Sequence, residues 1–267
     1  PENFQFIISA DLTGGRRPGV LEDMIKKINL LQPEFVITVG DLIEGYVEDE
    51  YLIERQFEEF DEGIAGLQMP FYYVPGNHDI SNEMMQQKWR EHYGRDYYHF
   101  VYKDVLFLCL NSTDGAHYLL SPDQIQYAEK ALQENSKVRW TVVIVHDPLW
   151  LYDWKTGWAE MEKLLADRPY TVFSGHTHYY YKVQRQGRDY YTLATTGGSS
   201  TLGGPEEDGM FDHIMWVTMT DEGPVIANLL MQGIYDGEVR NENMQEARDQ
   251  MEFIRSFMEG AAKRLGT

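Results

Sequence analysis

What most restricts the folding of this chain is the way its apolar runs end. Residues 4–10, 35–39, 71–74, 140–145 and 170–173 each have the length and character of a buried strand. Just beyond them come, in order, Asp11, Asp41, Asn77, His146, and the pair His176 and His178. Between the first two runs, Val20, Leu21, Met24, Ile25, Ile28 and Leu31 keep helical spacing, and Pro18 stands at the start of that segment. A more polar helix is expected over 48–66. Strands alternating with helices at this spacing build βαβ units and a parallel sheet. Open sheets of that kind bind ligands at the carboxyl edge of their strands, where these six residues gather.

The second half has a different texture. Residues 97–101 and 105–110 flank Lys103-Asp104 and read as a hairpin. Helices are expected over 122–134 and 159–166, on either side of the strand at 140–145. Residues 179–184, 190–194, 214–219 and 225–230 read as consecutive antiparallel strands, with a Gly/Ser-rich loop over 197–209. With 267 residues and 43% hydrophobic content, residues 1–240 suffice for a single domain. In the remainder, 241–267, Met244, Ala247, Met251, Ile254, Met258, Ala261 and Leu265 form a heptad-like stripe on an amphipathic helix, which docks on its own chain or joins copies into a homo-oligomer.

A formal net charge of −20 argues against nucleic-acid duplexes and against anionic membranes, both of which call for a basic face. An acidic chain that handles an anionic substrate needs local positive charge, and bound cations supply it. No apolar stretch is long enough to span a bilayer. Cys109, the one cysteine, lies in an apolar run and reads as a buried small hydrophobe, so internal disulfides are excluded. The chain starts at Pro1, almost directly on a strand, so the expected location is cytoplasmic, or periplasmic or secreted with a trimmed N-terminus.

Carboxylate, amide and imidazole donors together suit Mn, Fe, Zn or Ni rather than Ca alone. Arg16 and Arg17 are candidate phosphate contacts or a solvated loop pair. Trp150, Tyr152, Trp154 and Trp158 either wall a cleft or cover the sheet edge, and His213 either enters that cleft or packs beside it.

Gly40-Asp41, Gly76-Asn77-His78-Asp79, Val145-His146 and Gly175-His176-Thr177-His178 resemble, in that order, the calcineurin-like metallophosphoesterase superfamily over about residues 4–195. The resemblance implies an α/β fold of two stacked mixed sheets flanked by helices, a four-layer αββα sandwich. It implies two metal ions bridged by Asp41, one held by Asn77, His146 and His176, the other by Asp11 and His178. A metal-activated water then attacks a phosphate mono- or diester. His78 protonates the leaving oxygen or steadies the phosphoryl oxygens, and Asp79 orients its ring. Substrates of that class are phosphorylated small molecules, nucleotides or phosphoproteins. The first motif departs from the pattern, reading Asp11-Leu12-Thr13 where the family has Asp-x-His. A hydroxyl is a poor replacement for imidazole, so the Asp11/His178 site is expected to be weak, empty or filled by a harder ion such as Mn or Mg. The same departure supports the alternative of a catalytically silent protein that binds a phosphorylated ligand.

Overall fold

A computed structural model describes residues 2–152, 156–202 and 205–234 of the chain. Trp154 and the expected C-terminal helix lie outside the described residues. In chain order the elements are β1 (Phe4–Ser9), α1 (Val20–Leu31), β2 (Phe35–Thr38), α2 (Glu50–Ile64), β3 (Phe71–Tyr72), α3 (Glu83–Tyr93), β4 (Tyr98–Tyr102), β5 (Val105–Leu110), α4 (Pro122–Glu134), β6 (Trp140–Val145), α5 (Trp158–Leu165), β7 (Tyr170–Ser174), β8 (Tyr181–Arg185), β9 (Arg188–Thr192), β10 (His213–Thr220) and β11 (Gly223–Leu230).

The strands form two mixed sheets, ordered β11-β10-β1-β2-β3 and β4-β5-β6-β7-β9-β8. Alternation along each strand decides which side it feeds. Phe4, Phe6 and Ile8 of β1 point inward with Phe35, Ile37, Val105, Phe107, Cys109, Val142, Ile144 and Phe173, making the layer between the sheets. Ile7 and Val36 face the other way and meet Met24, Ile28, Ile53, Phe57, Met85 and Trp89 of α1, α2 and α3. On the far side, Leu106, Leu108, Val143 and Val172 take Ala128, Leu132, Met161 and Leu165 of α4 and α5. Helices thus cover both outer faces, and the four-layer arrangement holds.

Helix starts follow local chemistry. Asp49, Asn82 and Ser121 each accept a hydrogen bond from a backbone N–H in the first turn, and Pro122 occupies the start of α4. The helix α3 had no counterpart in the sequence reading, because it buries only Met85 and Trp89 and its apolar stripe is thin. The four late strands need correction. β8 pairs antiparallel with β9, and β10 with β11, but the two hairpins join different sheets: β9 lies parallel to β7 and β10 antiparallel to β1. Alternation marks a segment as a strand without naming its partner. No helix among the described residues is long and apolar enough to cross a membrane.

Candidate metal centre

The ends of β1, β2, β3, β6 and β7 bring all six donor residues to one place. Asp41 Oδ2 lies 3.2 Å from His146 Nε2, and His178 Nε2 lies 3.2 Å from Asp11 Oδ2. Asn77 Oδ1 lies 2.9 Å from His146 Nε2 and 2.8 Å from His176 Nδ1. Donor atoms of Asp11, Asp41 and His146 are all within 4.8 Å of one another, so the two halves of the centre are contiguous.

Close approach of the chain makes this possible. A Cβ on Gly76 would sit 2.1 Å from Asp41 Oδ1, and one on Gly175 would sit 2.1 Å from Asp11 Oδ1. Glycine is obligatory at both positions. Asp41, His176 and His178 adopt left-handed backbone with φ of 58°, 72° and 57°, a conformation that costs energy outside glycine.

The histidine tautomers follow from their partners. His146 Nδ1–H donates to Val39 O at 2.9 Å and His178 Nδ1–H to Ser199 O at 2.6 Å. Their Nε2 lone pairs therefore face carboxylate and amide oxygens, an arrangement of acceptors that a cation or a second proton reconciles. The Tyr118 hydroxyl lies 3.1 Å from His176 Nε2, leaving Nδ1 toward the centre. Asn77 Nδ2–H donates to the Tyr46 hydroxyl at 2.8 Å, which turns Oδ1 toward the histidines. Asp11 Oδ1 is buried with no hydrogen-bond partner among the described residues. An orphaned carboxylate oxygen, acceptor atoms facing imidazole lone pairs and glycine-made room together fit a metal centre.

Electrostatics agree with a charge cluster. Burial works to raise the pKa of Asp41, but the positive field and hydrogen bond of His146 hold it below the usual carboxylate range. Burial works to lower His146, and Asp41 raises it well above an ordinary histidine instead. Burial, helped by His146, pushes His176 down to about 4.

His78 lines a cleft of about 550 Å³ that opens over the centre, together with Gly14, Asn77, Thr177, His178, Tyr179 and Ser199–Thr201. Its Nδ1–H donates to Glu44 O at 2.6 Å. Among the described residues no hydrogen bond joins Asp79 to that ring, which corrects the expected orienting role. Its buried carboxylate accepts four backbone N–H groups, from Asp41, Leu42, Ile43 and Gly76, and so shapes the turn that presents Asp41. Burial and then the neighbouring Asp41 charge push the Asp79 pKa upward.

Arg17 is corrected as well. Its guanidinium grips Asp212 with two bonds of 2.6 Å and donates to Gly198 O, so it clamps a loop rather than awaiting a phosphate. Arg16 is exposed, its backbone N–H bonded to Glu44. Thr13 is fully buried and among the described residues its hydroxyl makes no hydrogen bond of ordinary geometry, though it lies close enough to help lower the Glu44 pKa against burial. Trp150 and Trp158 are buried against Tyr190 and cover the sheet, whereas Tyr152 stands 4.5 Å from Tyr118 beside the centre. His213 packs under the sheet end, bonded to Ala194 and Asn228. Sequence reasoning missed Tyr46, Tyr118 and Asp147. Only Asp147 had a signal, its position directly after His146.

Two stacked mixed sheets with six carboxylate, amide and imidazole residues at one edge define a metallophosphoesterase-type fold and site. The chain belongs to the calcineurin-like phosphoesterase family, whose family model matches residues 4–180. Among curated proteins it is similar to the serine/threonine-protein phosphatase CPPED1 of Mus musculus, 29% identical over 192 residues that cover 61% of this chain and 60% of that protein. The chain thus spans about three fifths of that relative's length. Among solved structures it resembles GAP50, described as the anchor in the inner membrane complex of Plasmodium, with a TM-score of 0.65 at 14% identity over 87% of this chain and 86% of that one. The purple acid phosphatase PPD1 from yellow lupin (Lupinus luteus) seeds also gives a TM-score of 0.65, at 15% identity over 88% of this chain and 53% of that one. At such identities the two structures speak for the fold alone.

Proposed function

We propose that this protein hydrolyses a phosphate mono- or diester with two metal ions held by Asp11, Asp41, Asn77, His146, His176 and His178. The observation that carries the reading is the convergence of all six side chains, with Asp41 Oδ2 against one half and, in the other, a buried Asp11 Oδ1 that has no hydrogen-bond partner among the described residues. Held by these residues, Mn, Fe, Zn or Ni ions would activate water for attack on phosphorus and offset charge on the phosphoryl oxygens.

The chain's own residues do the rest. Glu44 O accepts Nδ1–H of His78, so the Nε2 of this cleft-lining ring is available to hand a proton to the leaving oxygen. Tyr46 and Tyr118 hold the Asn77 amide and the His176 ring in their orientations. Asp79 keeps the Asp41 turn in shape. The cleft lining among the described residues carries no lysine or arginine, so a phosphoryl group there would rely on bound cations for its counter-charge and on His78 for a hydrogen bond. Substrates of this class are phosphorylated small molecules, nucleotides or phosphoproteins; the name of the mouse relative supports the last.

Thr13 favours a second reading, a catalytically silent protein that recognises a phosphorylated ligand with one depleted metal site. Nitrophenyl phosphate and bis-nitrophenyl phosphate, offered to protein reconstituted with Mn, separate the two. Hydrolysis is expected, with His78→Ala lowering the rate by about 10²–10⁴-fold at unchanged metal content. Absence of turnover with every divalent ion tried would leave the binding reading in possession.

A further inference from the structure

Directly after His146 stands Asp147, buried to 1% exposure. Its Oδ2 accepts the Ser112 hydroxyl, whose oxygen in turn accepts the Asp147 backbone N–H at 3.0 Å. Oδ1 lies 3.3 Å from Nδ1 of His176. That nitrogen is the one turned to the centre, since Nε2 meets the Tyr118 hydroxyl and Nδ1 lies 2.8 Å from Asn77 Oδ1. Donor atoms of His146, Asp147 and His176 are all within 4.8 Å of one another. Among the described residues its ion-pair contact is with His176, not with a lysine or arginine. Burial raises the pKa of this carboxyl against the opposing fields of His146 and His117 and the Ser112 hydrogen bond. With Oδ2 on Ser112, it is Oδ1, facing the His176 ring, that a cation would meet.

We infer that Asp147 is a fifth protein ligand of the metal held by Asp41, Asn77, His146 and His176. The inference rests on the metal-dependent reading above and adds an asymmetry to it. The Asp11/His178 half lacks an imidazole where Thr13 stands, while the other half gains a hard, anionic oxygen. That half becomes the tighter of the two, and its preference moves toward Mn, Mg or Fe. Ser112 is the positioning residue, holding Oδ2 so that Oδ1 faces His176.

The test strips wild-type protein, Asp147→Asn and Asp147→Cys with chelator and titrates each with Mn and with Cd by calorimetry. Melting curves are recorded in chelator and in saturating metal. Wild type is expected to show one tight and one weaker Mn site, and Asp147→Asn to weaken the tight one by about 10- to 100-fold while sparing the other. In chelator, Asp147→Asn should melt at or above wild type, because it removes a buried charge that only one hydroxyl and neighbouring imidazoles offset, and fall behind only when metal is added. Asp147→Cys should shift the tight site from Mn toward Cd, with the ultraviolet absorption of a thiolate–Cd bond. Unchanged Mn affinity in Asp147→Asn, or no Cd preference in Asp147→Cys, overturns the ligand role and leaves the two-metal reading standing. A melting deficit equal with and without metal also overturns it, making Asp147 purely structural. Wild type that takes up no Mn removes both readings together.

Discussion

Asp79 shows how little a residue's neighbour in sequence says about its work. It follows His78, yet both its oxygens are spent on the backbone of the Asp41 turn. Asp79→Asn keeps the shape but turns an NH₂ toward two of those N–H donors. At about 1–3 kcal/mol for each buried donor left unpaired, the substitution should cost at least about 2 kcal/mol, measurable by urea unfolding. Metal content should fall with it as the Asp41 turn loosens. His213 supports a prediction of another kind. Burial outweighs its Asn228 hydrogen bond and lowers its pKa from 6.5 to about 4. The unfolded chain therefore takes up this proton first. The stability contributed by neutral His213 is complete above about pH 6.5 and is lost as pH falls toward 4, by about 2–3 kcal/mol at pH 4.5. In His213→Gln that part of the acid sensitivity should vanish, seen as a smaller change in unfolding free energy between pH 7 and pH 4.5. A variant as acid-sensitive as wild type would count against the buried neutral histidine. At this scale the donor identities were legible, because they stand in short local motifs. The partners of Arg17 and Asp79 were not, since they are set by contacts that no motif records.

Among the elements, β5, second from the edge of its sheet, sends Val105, Phe107 and Cys109 into the layer between the sheets. Phe107 packs within 4.8 Å of Phe100, 5.2 Å of Phe6 and 5.4 Å of Phe35, ring centre to ring centre. Phe107→Ala should therefore cost about 3–5 kcal/mol, read as a lower denaturant midpoint with unchanged slope. A loss under about 1 kcal/mol would mean that the neighbouring rings collapse into the space. Most strands and helices were legible from periodicity, down to the limits of α4 and β6. The helix α3 escaped because its stripe is thin. β3 shrank to Phe71–Tyr72, where pairing with β2 stops after two residues before the chain turns toward Asn77.

For the molecule as a whole, the candidate centre joins the ends of strands from both sheets, so a bound metal would tie the two sheets together. Chelation should lower the melting temperature and Mn should restore it, with a gain in unfolding free energy of about 2.7 kcal/mol per site at a hundredfold excess over Kd. Superimposable melts with and without Mn would contradict the centre. By itself, the sequence determined that strands alternate with helices, that their ends carry Asp, Asn and His, and that the first motif lacks an imidazole. Those are local facts of periodicity and residue type, readable from a few neighbours. Only the tertiary structure decided which hairpin joins which sheet, that Arg17 is consumed by Asp212, that Asp79 serves backbone amides, and that Asp147 borders the centre. Each of these depends on where a group's partners come to lie once the layers close, and no local pattern of residues fixes that geometry.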